Sequence, residues 1–156
     1  MNHLDNRTIL SVEDLSVSFN SPKGLIRAVR GVTFELGREK LGIVGESGSG
    51  KSQTGRAILG LGGRTAEVTA KKINFDGIDL LNANEKTMRK IRGARISMVM
   101  QDPKFSLNPV IKVGEQIMEA FRVHSESSKK EARERTLEML RAVRIRDPHR
   151  VFDTYP

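Results

Sequence analysis

Residues Gly45-Glu46-Ser47-Gly48-Ser49-Gly50-Lys51-Ser52 fit the pattern G-x-x-x-x-G-K-[ST]. That pattern works in one setting: a buried strand leads in, a glycine loop turns, and a helix leads out. Glycines at 45, 48 and 50 let backbone N–H groups approach phosphate oxygens with no Cβ in the way. Lys51 is placed to reach the β- and γ-phosphates, and the Ser52 hydroxyl suits Mg²⁺. The flanks supply the setting. Residues 41–44 (Leu-Gly-Ile-Val) form a short apolar run, as a buried parallel strand should. From Gln53 onward, Ala57, Ile58 and Leu61 recur at helical spacing, and Gly62-Gly63 is the expected stop. The order predicts an α/β fold whose helix N-terminus faces a bound anion, with a nucleoside triphosphate as its ligand. A flexible Gly/Ser turn is the plainer alternative.

Length and composition narrow the classes. One hundred and fifty-six residues are enough for one domain with a core. Apolar content of 37% with 29% charged residues suits a soluble globular chain. No apolar run reaches the ~18 residues of a spanning helix, and the first ten residues, with Asp5 and Arg7, do not resemble a signal peptide. Zero cysteines exclude disulfides, thiolate metal sites and a catalytic thiol. The expectation is a cytoplasmic protein. The net charge of +8 raises nucleic acid as a partner. Its distribution argues against that: Lys86, Arg89, Lys90, Arg92 and Arg95 form one cluster. The basic residues from 129 to 150 are interleaved with Glu131, Glu134, Glu138 and Asp147, as on a solvated helix face with a Glu131–Arg135 support. With no Trp and 4% aromatics, a stacking platform for bases is lacking.

Along the chain, Leu15, Val17 and Phe19 alternate with polar residues, as do Val32, Phe34 and Leu36, so each group reads as a half-buried strand. Residues 71–75, ending at Asp76-Gly77, are expected to join them in an antiparallel layer. Residues 85–91 form a short helix candidate, and the apolar run 96–100 a strand closed by Gln101-Asp102-Pro103. Residues 113–123 and 129–143 are amphipathic helices, the second capped from residues 125–128 and burying Ala132, Leu137, Leu140 and Val143.

At this point two motifs resemble a known family. Residues 43–52 (IVGESGSGKS) look like the phosphate loop of the ATP-binding subunits of ABC transporters, in particular the oligopeptide and dipeptide importers. Gln101-Asp102-Pro103, then Ser106-Leu107-Asn108-Pro109 and Val113-Gly114-Glu115-Gln116-Ile117, are similar to that group's Q-loop region. Residues 15–19 and 28–34 match its opening strands. The resemblance implies an α/β P-loop NTPase core (an ABC nucleotide-binding domain) with an antiparallel β layer and the start of a helical subdomain. It implies a partial domain, with the β layer and P-loop core in residues 1–112 and the helical start in 113–156. Gly45, Ser47, Gly48, Ser49, Gly50, Lys51, Ser52 and Gln53 would wrap the phosphates of ATP. Lys51 and Gln101 would act in catalysis, and Ser52 with Gln101 would hold Mg²⁺. Phe19 would stack on adenine, or serve simply as an inward strand residue. The 106–109 loop would lie near the surface that docks a membrane subunit, or be a connector.

The implied partners are transmembrane permease subunits, a second ATP-binding subunit arranged head to tail, and an extracytoplasmic solute-binding protein. The implied location is the cytoplasmic side of the membrane. Three family parts have no counterpart in these residues: an LSGGQ-type signature, an apolar strand ending in Asp-Glu, and a switch histidine. His3, His124 and His149 stand in the wrong context and read as surface or packing residues. The expectation is a truncated, incomplete domain that folds marginally and does not hydrolyse ATP alone. Two rivals remain at this stage. One is a non-catalytic module that binds nucleotide or a partner. The other is a P-loop protein of another class acting on nucleic acid, with Asp102 as its Mg²⁺-supporting strand end.

Overall fold

The computed structural model describes residues 7–22, 24–101 and 106–156. The chain divides into two compact units, Met1–Arg92 and Gly93–Pro156.

In the first unit, β1 (Leu10–Ser21) and β2 (Gly24–Leu36) form a long antiparallel hairpin. The other edge of β1 takes β3 (Ala66–Thr69) beside residues 16–19 and β4 (Lys72–Phe75) beside residues 10–13, both antiparallel. The short β5 (Ile78–Asp79) follows β4 through Asp76-Gly77, both at positive φ (48° and 83°), as a type I′ hairpin turn requires. The antiparallel layer expected from residues 15–19, 32–36 and 71–75 is therefore present. β3 was not foreseen. Its four residues hold one large apolar side chain, Val68, too little to register as a strand before β1 is there to pair with it.

Three register shifts interrupt the β1–β2 ladder. At one, Val17 pairs with Val29 and Ser18 with Arg27, so Ala28 is an extra residue opposite a single step of β1. Beneath the layer lie the side chains of Val12, Leu15, Val17 and Ile73, all at most 2% exposed. Two helices complete the unit, α1 (Lys51–Ile58) and α2 (Glu85–Ile91). The Asn84 side chain caps α2 by accepting from the Thr87 N–H at 2.9 Å.

Three expectations need correction. First, α1 stops sooner than expected. Gly60, at φ 63°, takes the left-handed position, the Gly60 N–H bonds Ala57 O, and the Leu61 N–H bonds Arg56 O. This is a Schellman closure, so the stop glycine is Gly60 rather than Gly62-Gly63, and Leu61 is left 46% exposed. Second, residues 41–44 are not in a strand: Val44 is 92% exposed, and no ladder forms there among the described residues. Third, residues 96–100 in the second unit are not a strand either, and Val99 is exposed. The physical reason is shared. A parallel strand takes its hydrogen bonds from neighbours and its burial from both faces, and the described residues supply neither at these segments.

The second unit is built on α3 (Val113–Val123), α4 (Lys129–Ala142) and α5 (Pro148–Asp153) around Met118, Ala132, Leu137, Leu140 and Phe152. Ser128 begins α4 with a capping box: its hydroxyl accepts from Glu131 N–H, and Glu131 accepts from Ser128 N–H. Glu131 is thus engaged there, and Arg135 instead pairs with Glu138 at 2.9 Å, replacing the expected Glu131–Arg135 support. Val143, expected to be buried, is exposed because α4 ends at Ala142 and Arg144 turns the chain at φ 60°. The unforeseen α5 closes the unit. Asp147 caps it, Phe152 enters the core, and the Thr154 carbonyl accepts from Val113 N–H at 2.9 Å. His124 packs on Gly93 and His149 bonds Arg141, as packing and surface residues; His3 lies outside the described residues.

Candidate functional site

The glycine loop of residues 45–50 leads directly into α1. Gly48 and Gly50 sit at φ 82° and 94°, in the left-handed region that side-chain-bearing residues avoid. At Gly50 a second constraint applies. A Cβ there would collide with the Ala28 carbonyl oxygen and press on Val29. That carbonyl belongs to the bulged residue of β2, so the strand irregularity and the glycine form one contact. Gly50 is also the N-cap of α1 and offers no side chain to the first turn. The first N–H groups of the helix have no intrahelical acceptor, and the positive end of the helix dipole lies at this end. No acidic side chain lies in that turn.

Lys51 folds back over the loop. Its Nζ donates to the carbonyls of Gly45 at 2.7 Å and Glu46 at 2.6 Å, and to Ser49 Oγ at 3.3 Å. The ammonium therefore cross-links the two limbs of the loop. Thr54, which sequence reasoning passed over, is buried and donates its hydroxyl to Gly50 O at 3.2 Å, fixing the loop-to-helix junction from inside. Ser47 and Ser52 are exposed, and Gln53 is half-buried on the first turn. Beside the loop runs a groove of about 740 Å³ whose lining includes Gly48, Ser49, Lys51 and, from β2, Arg27 and Arg30. Its charged lining is wholly cationic. These arginines were also missed: they stand on a strand whose register shifts on both sides of Val29, so no alternation rule places both beside the loop.

The structure unites Gly45, Ser47, Gly48, Ser49, Gly50, Lys51, Ser52 and Gln53 in one loop and helix start. Phe19 is half-buried near the far end of β1, paired with Ile26 and Ala66, and is absent from the groove lining. Gln101 lies at an exposed bend in the second unit. Asp102, Pro103, Lys104 and Phe105 lie outside the described residues. The rest of that motif is visible. Gln116 accepts from Asn108 N–H at 2.8 Å and donates to the carbonyls of Asn108 at 3.0 Å and Ile111 at 2.8 Å. Gly114 lies directly under the Phe152 ring, where a Cβ would collide with it. The basic cluster at 86–95 also resolves in part. Arg92 is bound to Glu85 and to the end of α1, so it is not a free cation.

Comparison with known proteins places this geometry. The ABC transporter family profile matches residues 29–156. The chain belongs to the ABC transporter family. Curated relatives include the dipeptide transport ATP-binding protein DppD of Haemophilus influenzae, 44% identical over 149 residues, and DppD of Bacillus subtilis, 48% over 150. The oligopeptide transport ATP-binding protein OppD of Escherichia coli is 44% identical over 149 residues. Each alignment covers 95% of this chain and 44–45% of the relative, so the chain spans just under half the length of these curated relatives. Among solved structures, the ATP-binding cassette MJ0796, in a dimeric post-hydrolysis state bound to ADP and Pi, superposes with a TM-score of 0.77. It is 24% identical, with 94% of this chain and 61% of that chain covered. A second dimeric MJ0796 structure gives 0.71 at 23% identity over the same shares. These likenesses establish the fold of an ABC ATPase cassette. Membership overturns the reading as a P-loop protein of another class.

Proposed function

We propose that this ABC chain binds ATP as part of the ATP-binding subunit of an importer that energises peptide uptake. The observation that carries the proposal is the loop itself: Gly48 and Gly50 in the left-handed region, a helix N-terminus with no side-chain cap, and Lys51 folded over the loop. Those features fit a triphosphate. Backbone N–H groups from Ser47 to Gln53 would take the phosphate oxygens, and Lys51 would exchange its loop carbonyls for the terminal phosphates. Ser52, with Gln101 as the resemblance suggests, would hold Mg²⁺, which when bound neutralises charge on the phosphates. Phe19 is proposed as the adenine-stacking aromatic.

The names of the relatives support the peptide substrate and the importer setting. In that setting the partners are transmembrane permease subunits, a second ATP-binding subunit and an extracytoplasmic solute-binding protein. The chain would sit peripherally at the cytoplasmic face of the membrane; no helix among the described residues is long and apolar enough to cross one. Functionally, residues 1–112 would carry the β layer and phosphate-loop core and residues 113–156 the start of a helical subdomain. These 156 residues hold no LSGGQ-like string, Asp-Glu strand end or switch histidine, so we expect binding without turnover from this chain alone.

The test is titration with a fluorescent ATP analogue and Mg²⁺. Lys51→Ala is expected to weaken binding at least tenfold, about 1.4 kcal/mol or more. Equal affinity for both proteins would remove the loop from the binding site. Steady-state hydrolysis by the 156-residue chain, abolished in Lys51→Ala, would overturn the non-hydrolytic reading.

A further inference from the structure

We infer that Arg92 is a positioning residue for the phosphate loop: it holds the rear end of α1 so that the front end is set for the anion. The inference rests on the reading of Gly45 to Ser52 as a nucleotide cradle, and it concerns a residue more than thirty positions away in sequence.

The Arg92 guanidinium uses all three of its nitrogens. Nε donates to the Leu59 carbonyl at 2.7 Å, Nη2 reaches the Gly60 carbonyl at 3.4 Å, and Nη1 pairs with Glu85 Oε1 at 2.8 Å. Leu59 is the C-cap of α1 and Gly60 the left-handed residue that ends it. The fork therefore captures carbonyls at the helix C-terminus, where orphan acceptors and the negative end of the dipole favour a cation. Arg92 is itself fixed. It is the C-cap of α2, its own N–H bonds Met88 O at 2.8 Å, and Met88 and Ile91 beneath it are 4% and 2% exposed. Met88 also lies against Gly60, where an added Cβ would come within 3.8 Å of its methyl and 2.9 Å of Arg92 Nη2.

This attachment matters because it is polar and directional, whereas the rest of α1 is held mainly by the packing of buried Thr54, Ala57 and Ile58. An eight-residue helix is about 12 Å long and moves as a rod, so tilting one end displaces the other. At the front, Gly50 lies against the Ala28 carbonyl and the Val29 side chain of β2, and no side chain caps the first turn. The segment leading into the loop, residues 41–44, is not held in a sheet among the described residues. The Arg92 fork is the polar tie at the rear. Lysine cannot replace it, because one ammonium cannot meet three acceptors in a plane.

The experiment uses the 156-residue chain with Arg92→Ala, Arg92→Lys and Glu85→Gln. Binding of the fluorescent ATP analogue and amide hydrogen exchange are both measured well below the melting temperature. Arg92→Ala is expected to weaken nucleotide binding about tenfold, with Arg92→Lys and Glu85→Gln lying between it and the wild type. Amides of α1 should exchange faster while those of β1, β2 and β4 stay protected. If Arg92→Ala does not fold, Glu85→Gln carries the same test with Arg92 in place. Unchanged α1 exchange overturns the inference, and so does faster exchange with unchanged affinity, which would make Arg92 merely stabilising. If the wild type binds no nucleotide, the cradle reading fails, and α1 exchange alone decides whether Arg92 positions the helix.

Discussion

Gly114 and Gln116 show what a motif letter conceals. In the sequence they belong to a recognisable string, with no reason visible for either. In the structure Gly114 is the floor under Phe152, 38 positions later, and Gln116 ties down the chain at 108–111 with three hydrogen bonds. Neither partner is within helical reach, so no local pattern could disclose them. Gly114→Ala forces a Cβ into the ring and should cost about 1–3 kcal/mol, typical of overpacking. Urea unfolding of the variant, followed at 222 nm, checks this, and adding Phe152→Leu should recover part of the loss. Lys51, Gly48 and Gly50 stand at the other extreme. Their roles are written in local spacing, because the loop and the helix start lie within eight consecutive residues. Thr54, Arg27, Arg30 and Arg92 contribute through bonds or a strand irregularity that no spacing rule records.

Among elements, legibility follows the source of the stabilisation. α2 and α3 carry their own periodicity and were bounded correctly from the sequence. α5 had a local signal too, Asp147 as N-cap with Pro148 at the first helical position, but six residues are too few for periodicity to flag. Residues 41–44 and 96–100 are apolar enough for strands, and a strand needs a neighbour. The capping box of α4 yields an acid-sensitive element. The Ser128 hydroxyl, and then its backbone N–H, hold the Glu131 carboxyl below its ordinary value of 4.5. A folded-state value that is depressed contributes stability above the unfolded value and loses it as pH falls through the folded one. Glu131→Gln keeps an acceptor at the same place without titrating. The stability difference between wild type and variant should therefore be flat from pH 5.5 to 7 and move against the wild type below about pH 4.5, in urea midpoints taken across that range. A pH-independent difference would show that the carboxylate charge is irrelevant to the cap.

On the scale of the whole molecule, two quantities oppose each other. Leu41, Ile43 and Val44 leave apolar surface uncovered, at 46%, 49% and 92% exposure. A net charge of +8 keeps copies of the chain apart. At 0.1 M salt the screening length is about 10 Å, so added salt weakens the repulsion and leaves apolar contact untouched. Self-association should therefore rise with ionic strength. Val44→Lys, at a position with almost no contacts to lose, should suppress it without lowering the melting temperature. Light scattering over a concentration and salt series checks both; association that falls with salt would mean that charge rather than apolar surface joins the copies.

The extra residue in β2 has a consequence for how this chain tolerates insertions and deletions. Long surface connections usually absorb a changed residue count, and strands refuse it because every later side chain changes face. Here the count between Arg27 and Val29 is already odd against the partner strand, and the carbonyl it displaces is the one Gly50 rests on. Deleting Ala28 would give the sheet a more regular ladder and take the support from under the loop twenty residues on. The hairpin would be improved and the cradle spoiled by the same edit, so a search for stabilising deletions that scored only the β layer would select against nucleotide binding.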